Sequence, residues 1–167
     1  MITTIKDFKI MNENNQCTKF RIFTGDEFYQ YILHNGPNDT FDPRYLLKND
    51  GGNKVFKYYQ YSDFQQEPKN VFFFGLEYDN KLISLAHIRK NPRIENTYWL
   101  TYLCVDQIYE GKGYASILAE HIFKWYKQNN LQFESSSYTE QGYIKLKPLF
   151  NKLALKYDVK FIDKEKL

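Results

Sequence analysis

Hydrophobic and polar positions alternate along residues 5–10 and again along 18–23 (Thr-Lys-Phe-Arg-Ile-Phe), the two-residue period of half-buried strands, with a polar Asn-Glu-Asn-Asn turn between them. At Thr24-Gly-Asp-Glu27 the period changes. Thr24 and Glu27 have the spacing of a capping box, and Phe28, Tyr31 and Ile32 share one helical face, so a helix is expected up to about Asn35-Gly36-Pro37. Residues 37–70 follow no period. Pro37, Pro43, Gly51-Gly52 and Pro68 punctuate them, and a short helix is expected near Pro43–Lys48 within otherwise irregular chain. Such a segment reads either as a functional loop or as a surface excursion over one edge of the sheet.

Order returns at Val71. Two apolar runs, Val71–Tyr78 and Lys81–Arg89, flank Asp79-Asn80 and form the clearest hairpin in the chain. Asn91-Pro92 breaks the second run. Thr97–Val105 is nearly continuously apolar, the pattern of a central strand covered on both faces. From Tyr114 to Gln128, Ile117, Leu118, His121/Ile122 and Trp125 recur at helical spacing, and Asn129-Asn130 ends that helix. Leu131–Ser135 reads as a strand. Thr139 opens a last helix that Pro148 is expected to kink or restart before Leu149, Phe150 and Leu153, and Val159–Ile162 closes the chain as a strand. The order ββα–loop–βββαβαβ predicts one α/β domain over residues 1–167, with N-terminal strands and helix in 1–36, an irregular insertion at 37–70 and a core at 71–162. Its central sheet is mixed, the later strands partly parallel and flanked by helices.

Composition narrows the class. With 167 residues and 43% hydrophobic content the chain can bury a full core. Net charge is only +3 with the two signs interspersed, which tolerates an anionic cofactor without requiring nucleic acid. The aromatic share is high, 15 Tyr and 14 Phe, and reads as core filling or as an aromatic groove. Cys17 and Cys104 fit no metal spacing, and two free thiols point to a reducing, cytoplasmic setting. The N-terminus is too polar for a signal peptide, and no run approaches a membrane span.

The stretch with the most chemistry is Val105-Asp-Gln-Ile-Tyr-Glu-Gly-Lys-Gly-Tyr-Ala-Ser-Ile-Leu118. It joins the central strand to the amphipathic helix through Gly111-Lys-Gly113. Glycines allow a sharp turn and close backbone approach, and the helix start presents N–H groups and a positive dipole end, which together make a phosphate cradle. The pattern Val105-Asp-x-x-Tyr109-x-Gly111-Lys-Gly113-x-Ala115-x-x-Leu118, in this order of elements, resembles the acetyl-CoA signature of the GNAT acetyltransferase superfamily over residues 71–162. Residues 1–36 fit by element order.

The resemblance implies that the N–H groups of Gly111, Lys112, Gly113, Tyr114 and Ala115 hold the pyrophosphate of acetyl-CoA. It further implies that the main chain of Leu103, Cys104 and Val105 pairs with the pantetheine arm in a splayed gap beside Leu131–Ser135. The implied function is acetyl transfer from acetyl-CoA to a primary amine of a small molecule or protein by direct attack. Alternatives are a binding or inhibitory protein of the same fold with weak or no catalysis, and an acetyltransferase acting on a nucleotide or nucleic acid through Phe56–Phe64 with Lys54 and Lys57. A homodimer through the hydrophobic edge near Phe161 is a further expectation.

The chain departs from the family pattern twice. Glu110 stands where Arg or Gln is usual, putting an acceptor near the phosphates. The tyrosine that protonates the leaving thiolate in many members aligns with Leu146, or with Phe150 if Leu149-Phe150-Asn-Lys-Leu153 is matched instead. Tyr143 is the substitute donor, then Tyr138. For the base that must deprotonate an ammonium of ordinary pKa near ~10.4, the candidates are Glu134, beside the proposed gap, and Glu77, His87 and Glu95. Val105 is the candidate backbone donor to the oxyanion. Ser135-Ser136-Ser137 could line the site with hydroxyls, but no Asp–His pair is placed to make one a nucleophile.

Overall fold

In the computed structural model, described for residues 7–11, 17–34, 69–135, 138 and 140–163, seven strands form one sheet in chain order. Strands β1 (Asp7–Met11) and β2 (Cys17–Thr24) lead into helix α1 (Gly25–His34). Strands β3 (Val71–Tyr78), β4 (Lys81–Lys90) and β5 (Thr97–Val105) follow, then helix α2 (Tyr114–Gln128), strand β6 (Gln132–Ser135), helix α3 (Glu140–Tyr157) and strand β7 (Phe161–Ile162). Neighbours from β1 to β5 are antiparallel, and β5–β6 and β6–β7 are parallel, as each follows a helical crossover.

Local chemistry explains the element ends. The Thr24 hydroxyl accepts the Glu27 N–H at 3.3 Å, capping α1 as the spacing predicts. Asp79 and Asn80 both take positive φ, 51° and 58°, the turn that a right-twisted two-residue hairpin demands. The short helix expected near Pro43–Lys48, and the Phe56–Phe64 aromatics, lie outside the described residues.

Pro148 does not restart α3, which runs unbroken from Glu140 to Tyr157. The carbonyl it leaves without a helical donor belongs to Ile144, which is 66% exposed, so water can take the missing hydrogen bond.

The aromatic richness goes largely into the core. On one face of the sheet Phe20, Phe72, Phe74, Tyr98 and Phe133 pack against Phe123, Trp125, Tyr126 and Phe150 of α2 and α3. The rings interlock at typical aromatic spacings: Phe123–Phe133 at 4.5 Å, Phe74–Trp125 at 5.2 Å, Phe133–Phe150 at 5.2 Å. The opposite face packs Phe23, Val71, Phe73, Leu82, Leu85 and Cys104 with Phe28 of α1.

Strand β5 differs from its sequence pattern. Its first half is buried apart from Trp99, but from Thr101 onward only Cys104 is. The cause is a loss of partner. Strand β6 pairs with β5 only from Thr97–Gln132 to Leu100–Ser135. Just past that point a bulge sits in the β4–β5 register, where Ile88 faces Leu100 and His87 faces Tyr102, leaving Thr101 as the extra residue.

Candidate active site

The bulge has an identifiable cause. His87 Nδ1 and Thr101 Oγ1 lie 2.5 Å apart, and the same hydroxyl donates to the His87 carbonyl at 3.1 Å. The imidazole is wedged between Phe73, at 4.6 Å, and Tyr102, at 5.7 Å. Burial, reinforced by the Arg89 charge, pushes its pKa down to about 3. His87 therefore stays neutral near pH 7 and loses the titration range that made it a candidate base; what it does is hold Thr101.

Beyond the bulge, β5 offers main-chain groups to one side. Asp106 N–H donates to the Ile83 carbonyl at 2.8 Å, and the Cys104 carbonyl accepts the Ser84 hydroxyl at 2.9 Å. Residues 104 and 106 thus turn their backbone groups toward β4. By strand alternation, the N–H and C=O of Leu103 and Val105 point the other way, where described β6 has ended. Of the three main chains expected to meet the pantetheine arm, those of Leu103 and Val105 face the gap and that of Cys104 is committed to β4. Its thiol is free and buried, and donates to the Leu85 carbonyl at 3.6 Å.

The strand then runs through a short 3-10 turn, Gln107–Tyr109, into the glycine turn. Gly111 and Gly113 have φ of +75° and +86°, a region costly for other residues, and a Cβ built on either meets nothing within 4 Å. Among the described residues, therefore, nothing fills the space above the turn. Gly113 is the N-cap of α2, and no side chain caps that helix. Its first turn presents backbone N–H groups and the positive dipole end that favour an anion.

A cavity of about 460 Å³ gathers these pieces, a volume ordinary for a small-molecule site. Leu103, Cys104, Val105, Gly111, Gly113, Tyr114 and Ala115 line it, as do Tyr109, Glu110 and Ser116. Lys112 does not. Its ammonium sits 5.7 Å from the Tyr109 ring centroid. Burial, then the charge of Asp106, raises the Tyr109 pKa.

The far wall is α3, through Gln141, Gly142, Lys145, Leu146 and Leu149. The sequence reading omitted Ser116, Gln141, Gly142, Lys145 and Leu149 from the site. The signal that would have found the α3 set is their spacing, since 141, 145 and 149 recur every four residues beside 142 and 146. Leu146 is thus the aligned position that meets the cavity, whereas Phe150 is 2% exposed and belongs to the core.

The acid–base candidates lie elsewhere. Tyr143 is on another side of α3, 6.1 Å from the Tyr138 ring, with the Lys147 ammonium 4.7 Å from its own. Tyr138 donates to Asp163 at 3.0 Å, and Lys147 pairs with the same carboxylate at 3.0 Å. Burial raises the Tyr138 pKa. Glu134 alternates with Phe133 and so occupies the sheet face away from α2 and α3. It is 2% exposed and accepts the Asn91 amide at 2.7 Å. Asn91 in turn accepts the N–H groups of Arg93 and Ile94 at 2.8 and 3.1 Å. Glu77 accepts Arg21 at 2.8 Å, and Glu95 is exposed in a turn. Ser136, Ser137 and Thr139 are outside the described residues.

A splayed parallel strand pair, an open glycine turn and a helix N-terminus, joined in one cavity, are the features that the sequence resemblance leads one to expect. The sequence over residues 37–151 matches the acetyltransferase (GNAT) family. The chain belongs to that family. Solved structures of similar fold include the GNAT domain of S. lividans PAT, at 11% identity and TM-score 0.58, covering 88% of this chain and 86% of that one. An aminoglycoside acetyltransferase from an uncultured soil metagenomic sample, with trehalose bound, matches at 11% identity and TM-score 0.53, covering 81% and 86%. An aminoglycoside N-acetyltransferase in complex with CoA matches at 12% identity and TM-score 0.50, covering 86% and 88%. At such identities the likeness is one of fold. A comparison with curated proteins gave no match. Among the described residues no helix is long and apolar enough to cross a membrane, and no group of three potential metal-ligating side chains occurs.

Proposed function

We propose that this GNAT-family protein transfers an acetyl group from acetyl-CoA to a primary amine. The observation that carries the reading is the one-sided end of β5, where the Leu103 and Val105 main chains face a gap that opens onto the glycine turn. The residues fit the donor. An added, strand-like arm can hydrogen-bond to Leu103 and Val105. The Gly111–Ala115 turn and the uncapped start of α2 suit a pyrophosphate. Acetyl-CoA bound there supplies an acyl group activated as a thioester.

This chain's own part is to position and polarise. The Val105 N–H, aimed into the gap, is the candidate donor to the acyl oxygen. Glu134 is the candidate base from the opposite face of the sheet, held by Asn91. Tyr143 lies off the cavity face, so its hydroxyl would have to act through another group. The buried free thiol of Cys104 accords with a cytoplasmic setting.

Calorimetry with CoA and acetyl-CoA, followed by thiol release against a panel of aminoglycosides, peptide N-termini and lysine, tests the reading. Micromolar binding with turnover on at least one amine is expected; no binding at near-millimolar CoA overturns it. A specific observation favours a second reading, donor binding without efficient turnover. The helix position aligned with the family's tyrosine, Leu146, meets the cavity and carries no hydroxyl. Tight binding with no thiol release on any amine would support that reading.

A further inference from the structure

The part of α3 that faces the cavity has two flanks. At 100° per residue, Gln141 and Lys145 fall together on one flank, Gly142 and Leu146 on the other, and Leu149 between them. Exposure divides them in the same way. Gln141 and Lys145 are exposed, while Gly142, Leu146 and Leu149 are half-buried. The polar flank therefore stands at the mouth, and the apolar flank forms the inner wall. Glu110, Gly111, Gly113 and Ser116, across the cavity, are also exposed. Among the described residues Lys145 makes no hydrogen bond or ion pair, unlike Lys147 and Lys156 of the same helix, which are tied to Asp163 and Glu120. Its ammonium is uncommitted, at the mouth, opposite a turn that carries a carboxylate at Glu110.

We propose that Lys145, flanked by Gln141, supplies from α3 the positive charge that meets the phosphates of the CoA donor and offsets Glu110. The glycine turn gives backbone N–H groups and a helix dipole, which together amount to about half a charge. A pyrophosphate carries more than that, and Glu110 opposes it. A flexible ammonium reaching across the mouth adds a full charge without closing the inner wall. The inference rests on the proposed reading of the cavity as the CoA site.

Calorimetry at low and high salt, with CoA and dephospho-CoA, tests it on four variants: Lys145→Met, Lys145→Arg, Glu110→Gln and, as a control of equal charge change two turns along the same helix, Lys152→Met. Lys145→Met keeps the apolar stem and should weaken CoA binding about fivefold to tenfold at low salt. The loss should shrink at high salt. Lys145→Arg should restore affinity, Glu110→Gln should tighten it, and Lys152→Met should leave it within about twofold. A loss that persists with dephospho-CoA assigns Lys145 to the pyrophosphate; one that vanishes assigns it to the 3′-phosphate. Wild-type and Lys145→Met proteins binding equally, or Lys145→Met and Lys152→Met losing equally, overturn the inference and leave the CoA reading standing. Wild-type protein that binds no CoA overturns both.

Discussion

At the scale of single residues, two glycines carry different constraints. Gly75 is needed for space: a Cβ built there meets Leu82 Cδ1 at 2.3 Å, and Leu82 is fully buried. Gly75→Ala should therefore cost about 1–3 kcal/mol through local overpacking, read as a lower denaturation midpoint with an unchanged m-value. Gly113 has space and needs only its backbone angle. Asparagine tolerates that angle better than other side chains, so Gly113→Asn should destabilise the fold only modestly, by about 1 kcal/mol of backbone strain, while its side chain enters the anion cradle. CoA affinity should fall by about tenfold or more. An Asn variant that binds as tightly as the wild type would mean that the phosphates lie elsewhere. Leu146 makes the complementary case. It lines the cavity on the inner flank, so Leu146→Tyr brings a phenol to the cavity wall. If turnover is limited by a missing proton donor, kcat should rise with KM for the donor little changed; an unchanged kcat would remove the absent tyrosine as the limiting factor.

At the scale of elements, the decisive feature is where β5 and β6 part, and the pair that fixes it is also a pH-sensitive one. The folded pKa of His87, about 3, lies below its ordinary 6.5, and that of His121 is also pushed down, to about 4, by burial first and then by Lys124. The unfolded chain thus binds protons below about pH 6.5 that the folded chain does not, so stability is highest above that pH and falls as pH drops. Each buried histidine contributes up to about 1.4 kcal/mol per pH unit. The melting temperature should drop between about pH 7 and about pH 5, and by less in His87→Gln; equal drops would mean that His87 is not buried neutral. The resemblance implies this parting of strands, but the residues themselves do not show where it begins. Thr97–Val105 reads as uniformly buried because its composition is uniformly apolar; only the contact between His87 and Thr101, on different strands, reveals the bulge. What periodicity does encode was legible: the Asp79-Asn80 hairpin, the Thr24 cap, the α2 stripe and the glycine turn are all local. Catalytic roles are not encoded locally, because helix angle and strand face, which place Tyr143 outside the cavity lining and Glu134 on the sheet face away from α2 and α3, depend on the assembled fold.

At the scale of the whole molecule, the cavity is a joint among separate parts. Its walls come from β5, the turn and first residues of α2, and the first half of α3, while α2 and α3 are otherwise held together by the aromatic core and by Glu120, whose carboxylate accepts Lys156 at 2.6 Å and Tyr157 at 2.5 Å. A ligand seated there touches all three and should stabilise the fold as a unit. At about 100-fold excess over Kd, CoA adds about 2.7 kcal/mol by mass action. For a chain of this size that raises the melting temperature by about 5–10 °C. Amide exchange locates the effect. Protection should increase at Leu103 and Val105, across Gly111–Ser116 and in the first two turns of α3, while the β1–β2 pair on the far side of the sheet changes little. A thermal shift with protection confined to α2 would mean that the ligand sits on the helix end alone and does not bridge to α3. That outcome would remove the physical basis for giving Leu146 or Lys145 any role toward the donor, so the exchange pattern tests the joint directly.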